Sequence, residues 1–484
     1  MTGDRKPGQR ARTEDPTKRS LQRPSQRSRR ADAPRQAAYD TLRAVSAKDA
    51  YANLVLPGVL RERRITGRDA AFATELAYGS LRMRGLYDAV LARCVDRPLA
   101  DLDDGVLDAL RLGAHQLLAM RVPPHAAVGE TVALVRDNLG GGPGGLTNAV
   151  LRKVGERDVD QWVAELAQDL APLERLALQH SHPLWIVRAL REALSDGGVP
   201  VERLDVELAA LLSADNAAAR VTLVARPGLV SVDELVIAGG EPSPLSPYAV
   251  VWPGGDPGQL AAIREGRAGV QDEGSQLVAL ALVAAPIQGR DERWLDLCAG
   301  PGGKAALLGA MAATRGAGVS AIEQAAHRVA LVRSAVVALG DIVEVRRGDG
   351  RAIGADEPGE YDRVLVDAPC TGLGALRRRP ESRWRRQPSD VAALAPLQRE
   401  LLSSALQAVR PGGVVAYTVC TPHVAETRLV VDDVIRRRSD VELVDARSML
   451  PGVPDLGAGP TVQLWPHRHG TDAMFLALLR KAQL

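Results

Sequence analysis

Three kinds of apolar spacing divide this chain of 484 residues. From Gln36 to about Val154 the period is helical. Val128, Val132, Val135 and Leu139 recur at spacings of four, three and four, and Phe72 and Leu76 share a face behind Thr66-Gly-Arg-Asp69, a capping-box-like start with Asp in place of Glu. This predicts an all-helical domain over residues 36–156, interrupted by the glycine run Gly140 to Gly145, with a further helix opening at Asn148. Residues 157–214 keep the helical period, with a break and restart at His182-Pro183. The period then changes. Segments 219–224 and 248–252 read as strands between Gly/Pro-rich turns, so 157–268 is predicted to be a helical and small α/β linking subdomain.

From residue 269 to 484 the two periods alternate. Strands are predicted at 293–298, 318–323, 342–347, 362–367, 413–419, 441–445 and 472–479, and helices at 304–313, 324–339, 396–409 and 424–437. That alternation predicts an α/β Rossmann-like domain with a mainly parallel sheet and helices on both faces. Ligands of such sheets bind at the carboxyl ends of the strands. Candidate chemistry gathers there: Asp296 after the first strand, Glu323 at the end of the second, Asp349 in Gly348-Asp-Gly350 after the third, Asp367 at the end of the fourth and Cys420 at the end of the fifth.

Composition changes the picture in three places. The net charge is only +2, yet residues 1–35 hold 11 Lys/Arg against 4 Asp/Glu and almost no large apolar groups, which predicts a disordered basic tail. Cysteines stand at 94, 298, 370 and 420 with no Cys-x-x-Cys, so neither a disulfide framework nor a structural zinc is expected, and a reducing cytoplasm fits. The longest apolar run, Leu277 to Pro286, is too short to span a membrane. The segment 377–386 holds six Arg and one Trp against a single acid beside the Cys370 motif, which predicts an RNA-contacting loop.

The loop Trp294-Leu-Asp-Leu-Cys-Ala-Gly-Pro-Gly-Gly-Lys304 narrows the ligand. It lacks the glycine spacing of the dinucleotide fingerprint, and Cys298 and Ala305 stand where a Walker loop needs Gly and Ser/Thr. What remains is an S-adenosylmethionine loop, with Asp296 meeting the cationic methionine part and glycines passing beneath it. Glu323, 20 residues past Gly303, is placed for both ribose hydroxyls, and Asp349 for the adenine amino group. Asp367-Ala-Pro-Cys370 and Tyr417-Thr-Val-Cys-Thr421 bring two thiols to neighbouring strand ends. Carbon-5 of cytosine is a poor nucleophile until a soft nucleophile adds at carbon-6, and a thiolate can do this. Cys94 and Cys298 read as small buried hydrophobes.

At these residues the sequence resembles the Sun/Fmu (RsmB-like) ribosomal RNA cytosine-5 methyltransferases of the Nop2/Sun family, from about Gln36 to the end. The resemblance rests on a NusB-like helical stretch, Gln271-Asp-Glu-Gly-Ser-Gln276, the 295–304 loop, Gly348-Asp-Gly-Arg351, Asp367-Ala-Pro-Cys-Thr371 and the motif at Cys420. It implies an RNA-binding role for 36–156 and a methyltransferase domain over 269–484 acting on small-subunit (16S) ribosomal RNA, the alternatives being a transfer RNA cytosine-5 methyltransferase or a non-catalytic NusB-like RNA-binding factor. By the same resemblance Cys420 is the nucleophile, Cys370 the thiol that assists release, Asp367 the ring-nitrogen partner and Lys304 a further active-site cation. Asp296, Cys298, Ala299, Gly300, Pro301, Gly302, Gly303, Lys304, Glu323, Arg328, Asp349 and Asp367 would line the cofactor site. A monomer in the cytoplasm is expected, without membrane attachment. DNA is not the expected substrate, since DNA enzymes of this chemistry use the Pro-Cys thiol and would not need Cys420. Departures from the family pattern are Glu323 for Asp, Val419 and Thr421 beside Cys420, and Ala425-Glu-Thr427 for Glu-Glu-Asn.

Overall fold

The computed structural model describes residues 31–483, so the basic stretch 1–30 lies outside the described residues. The end of the predicted tail does not: Ala33–Lys48 is already a helix. Asp32 caps it by accepting from Arg35 N at 2.9 Å, and the Arg35 side chain is buried, donating to Gln116 Oε1 at 2.7 Å. Proline in the first turn of this helix loses no hydrogen bond, because that N–H would have no partner anyway. Six more helices follow up to Val154, among them Gly67–Arg82, Asp104–Leu118, Pro124–Leu139 and Gly144–Val154. Their apolar stripes bury Leu42, Leu56, Leu76, Leu112 and Leu134 in one cluster and Leu86, Val90, Leu110 and Leu151 in another, which Trp162 of the next helix, Val159–Leu166, joins. Two local expectations need correction. Thr66 stands at the N-cap of Gly67–Arg82 but makes no capping bond, and the helix expected from Asn148 opens earlier, at Gly144.

The linking region has two parts. Helices Pro172–Gln179, Leu184–Asp196 and Leu204–Asn216 pack Ile186, Leu190, Leu208 and Leu211 against Leu373, Leu376, Val424 and Trp465, which belong to loops of the C-terminal sheet. Strands β1 (Val221–Ala225), β2 (Glu241–Pro242), β3 (Ala249–Trp252) and β4 (Ala268–Val270) form an antiparallel sheet in the order β2-β3-β1-β4. A boundary drawn at residue 269 therefore cuts through β4, whose Gly269 pairs with Val224.

The C-terminal sheet contains β5 (Arg293–Asp296), β6 (Gly318–Glu323), β7 (Val343–Arg347), β8 (Tyr361–Asp367), β9 (Val409–Val419), β10 (Val441–Val444), β11 (Val462–Gln463) and β12 (Phe475–Lys481). Its order is β10-β12-β9-β8-β5-β6-β7, with β11 paired to β12. The pairs from β9 to β7 are parallel, and β12 runs antiparallel to β9. Alternate residues face opposite sides, and both sides are covered. Val414 and Ala416 lie in one core with helices Glu273–Ala284 and Gly303–Ala313, while Val415, Tyr417 and Val419 lie in the other with Pro388–Ala408 and Arg428–Ile435. The chain leaves β5 toward β6 and β7, then returns on the other side of β5 to β8 and β9. That reversal between β5 and β8 is the topological switch point, where an open parallel sheet leaves a crevice. Among the described residues, no helix is long and apolar enough to cross a membrane.

Candidate active site

The turn after β5 is shaped around Glu323. A Cβ on Gly300 would stand 2.2 Å from Glu323 Oε2 and 2.7 Å from Arg328 Nε, so only glycine lets the loop approach this closely. Gly300 N donates to Glu323 Oε2 at 3.1 Å, Ala325 N to Glu323 Oε1 at 2.8 Å, and Arg328 donates to the Gly300 carbonyl while lying 3.4 Å from Glu323 Oε2. Gly302 has φ 112° and opens the helix Gly303–Ala313, a conformation that side-chain-bearing residues rarely adopt.

Asp296 is buried, and only its Oδ1 has a partner, Cys298 N at 3.3 Å; Oδ2 has none. Burial first, and the Asp367 charge after it, push this carboxyl up to about 7. Gln271 Oε1 is a second buried acceptor without a partner, and the Gln271 amide carbon lies 3.7 Å from the place of a Cβ on Gly303. Burial and then Asp296 and Asp367 hold Cys298 firmly protonated. Asp349 stands apart: it caps the helix Gly350–Asp356, and both its oxygens are taken by Arg351.

Across the crevice, β8 and β9 pair Asp367 with Thr418, so the two motifs they carry emerge side by side. Lys304 Nζ donates to Asp367 Oδ2 at 2.9 Å, and Thr418 Oγ1 to Oδ1 at 3.2 Å. Burial opposes the charge on Lys304, but Asp367 outweighs it and holds the ammonium above its ordinary range. The sulfurs of Cys370 and Cys420 are 3.4 Å apart. Either thiol can donate in this contact, and the shared hydrogen bond lowers Cys420 and raises Cys370; Lys304 adds to the lowering of Cys420, against burial and the Asp367 charge.

The arginine loop behaves otherwise than its composition predicts. Arg383 is fully buried and donates to the carbonyls of Arg82 and Asp215 at 3.0 and 2.7 Å and to Asn216 Oδ1 at 2.6 Å. Arg385 donates to the carbonyls of Val45 and Ala50, both at 2.7 Å, and Arg386 to that of Thr371 at 3.0 Å. Arg377 reaches Asp272 Oδ1 at 3.1 Å, Arg378 pairs with Asp472, and Arg379 lies over the Tyr51 ring. The loop fastens the helical domain and the linking helices to the sheet; of its arginines only Arg379 is mainly exposed. Residues to which motif reading assigned no role are Gln271 as an open acceptor, Gln398, and Glu426, which stands in Ala425-Glu-Thr427 just past the Cys420 motif.

A mainly parallel sheet with a glycine loop and buried acidic groups at its strand ends, preceded in the chain by a helical domain, is the arrangement of a methyltransferase with an added N-terminal domain. The model described as 16S rRNA methyltransferase RsmB/F matches residues 283–480, and that of the NusB family matches residues 32–156. The chain is 54% identical over 459 residues to Rv1407 of Mycobacterium tuberculosis, a protein whose name assigns it provisionally to the methyltransferases, covering 94% of this chain and 98% of that one. It is 31% identical over 444 residues to the ribosomal RNA small subunit methyltransferase B of Erwinia tasmaniensis, covering 88% and 94%. The crystal structure of PH0851 shares the fold, with a TM-score of 0.75 at 22% identity over 94% of this chain and 100% of that one. The chain belongs to the RsmB/F family of methyltransferases.

Proposed function

We propose that this chain methylates carbon-5 of a cytosine in 16S ribosomal RNA, with S-adenosylmethionine as methyl donor and Cys420 as covalent nucleophile. The observation that carries the reading is the thiol pair at 3.4 Å beside the Lys304–Asp367 ion pair. The family description and the name of the Erwinia relative support ribosomal RNA as substrate.

The donor set fits S-adenosylmethionine, which when bound supplies an electrophilic methyl group. Asp296 Oδ2 and Gln271 Oε1 are buried acceptors open to a cationic ligand, and Glu323 is the acceptor for ribose hydroxyls. Cys420, the thiolate of the pair, forms a sulfur–carbon bond at carbon-6 of the cytosine. Asp367 and Lys304 hold the proton that the ring nitrogen needs as charge shifts onto it. The former double-bond electrons then reside at carbon-5, which would take the methyl group as the donor's methyl–sulfonium bond breaks and its electron pair stays on the departing S-adenosylhomocysteine sulfur. Loss of the carbon-5 proton to a base and cleavage of the sulfur–carbon-6 bond restore the ring and the thiolate. Cys370, donating to the departing sulfur, eases that release.

A denaturing gel with labelled 16S fragment and S-adenosylmethionine tests this. Cys420→Ala should abolish both methyl transfer and any covalent band, Cys370→Ala should accumulate a denaturant-resistant protein–RNA band, and the double mutant should show none. A band in Cys420→Ala that vanishes in Cys370→Ala would reverse the roles. Bisulfite sequencing of ribosomal and transfer RNA from a strain lacking the protein locates the product, and a lost signal in transfer RNA alone overturns the substrate.

A further inference from the structure

Glu426 is fully buried, and among the described residues no cation pairs with it. A buried carboxylate in that position survives only by filling its lone pairs with hydrogen bonds. Its Oε1 accepts from Thr371 N at 2.8 Å and Gln398 Nε2 at 3.1 Å, and its Oε2 from the hydroxyl of Thr371 and from Thr421 Oγ1 at 3.1 Å. Its backbone carbonyl accepts from Tyr417 OH at 2.7 Å, and Gln398 also donates to the Pro369 carbonyl at 2.9 Å. Thr371 directly follows Cys370, and Thr421 directly follows Cys420. One carboxylate thus ties together the two turns whose thiols stand 3.4 Å apart.

We propose that Glu426 is a positioning residue for the thiol pair: it locks the two cysteine turns at donor–acceptor separation and, by its charge, keeps the shared proton on Cys370. The directions of titration agree. The Cys420 contact and burial raise Cys370, and the Glu426 charge adds to that rise, whereas Glu426 is not among the principal influences on Cys420. The other charged groups around the pair are Lys304 and Asp367 from the cofactor side and Asp472 and Arg378 from the far wall. The inference rests on the reading of Cys420 as nucleophile, but its principal readout needs no RNA.

The test compares wild type, Glu426→Gln and Glu426→Asp, each checked for folding by its thermal melt. Iodoacetamide modification of Cys420 and Cys370 is followed from pH 6 to 9 by peptide mass spectrometry, together with methyl-transfer kinetics. Glu426→Gln keeps the volume but removes the charge. The preference for Cys420 over Cys370 should fall about tenfold for each pKa unit by which the two thiols converge. Its kcat should drop on the order of 10- to 100-fold from misplaced thiols, with cofactor affinity unchanged. Glu426→Asp keeps the charge on a shorter arm, so the alkylation preference should persist while kcat falls. If Glu426→Gln does not fold, Glu426→Asp decides: wild-type kcat there, or a lost preference despite the retained charge, overturns the proposal. A folded Glu426→Gln with the wild-type pH profile for both thiols also overturns it, even if activity drops. Failure of the methylation reading shows separately, as a wild-type protein that transfers no methyl group to RNA and a Cys370→Ala protein that forms no covalent RNA band.

Discussion

The glycine loop at 296–304 and the arginine loop at 377–386 both carry conspicuous charge or polarity, both adjoin the crevice, and they use it in opposite ways. In the first, acceptors are left over: Asp296 Oδ2 and Gln271 Oε1 are buried without protein partners. In the second, most guanidinium groups are already bound by protein acceptors, although among the described residues Nε of Arg377, Arg378 and Arg383 and the Trp384 indole N–H have no hydrogen-bond partner. Arg383 alone reaches the carbonyls of Arg82 and Asp215 and the side chain of Asn216, joining the helical domain, the linking helices and the sheet. A run of like charges therefore does not identify an RNA surface. A strut such as Arg383 is marked by the protein carbonyls and side chains it already joins, not by its charge.

The largest expected effect breaks this comparison if it fails. Arg383→Met keeps the length of the side chain but leaves several buried acceptors unpaired, at a cost on the order of 3 kcal/mol, since each such group costs about 1–3 kcal/mol. Calorimetry should record a melt several degrees lower. RNA affinity should keep its salt slope, because no phosphate contact is lost. An unchanged melt with the slope reduced by nearly one would return Arg383 to the RNA surface.

Legibility in the sequence followed the same divide. Strand β6 has the bounds the sequence predicts, 318–323, because Val319, Ala321 and Ile322 form a buried apolar run that ends at Glu323. The carboxylates and thiols at the strand ends were legible because topology alone assigns strand ends to one crevice. Strands β2 and β4, two and three residues long, carry too few positions for any period to show. The helix Pro388–Ala408 was expected only from 396, since Pro396 argues against a helix interior; packing of Val391, Leu401 and Leu402 overrides the lost hydrogen bond. Glu426 is legible as part of the 425–427 motif, but its contacts and those of Gln398 are not, because their partners lie as far as 55 residues away. The destinations of the arginines were illegible for the same reason: composition counts guanidinium groups and says nothing of the carbonyls they will meet.

A smaller effect sharpens the ligand side. Glu323→Ala removes the acceptor proposed for the ribose hydroxyls and also the prop under Gly300 N. S-adenosylmethionine affinity measured by titration calorimetry should weaken by about 1–3 kcal/mol. Unchanged affinity would take Glu323 out of the site and leave it as a support for the loop. Because Arg328 already lies against the same carboxylate, Arg328→Ala should weaken binding less than Glu323→Ala, by loosening the loop alone.

The smallest effect concerns the open acceptor itself. Asp296 titrates at about 7 in the free protein because burial and the neighbouring Asp367 disfavour its charge. A cationic ligand favours the ionised form, so binding must pull this pKa down, and affinity must rise as pH increases through 7 and level off above it. If only ionised Asp296 binds, the gain between pH 6 and 8 is about tenfold, the change in its ionised fraction. Calorimetry at pH 7 in two buffers of different ionisation enthalpy should also register a proton released on binding. Asp296→Asn, uncharged at every pH, should bind weakly and lose the slope. A wild type whose affinity is flat from pH 6 to 8 would mean that Asp296 is neutral in both states or already ionised in the free protein. It would then be a structural group, as the donors of the arginine loop are, and the contrast between the two loops would collapse at the residue that defines it.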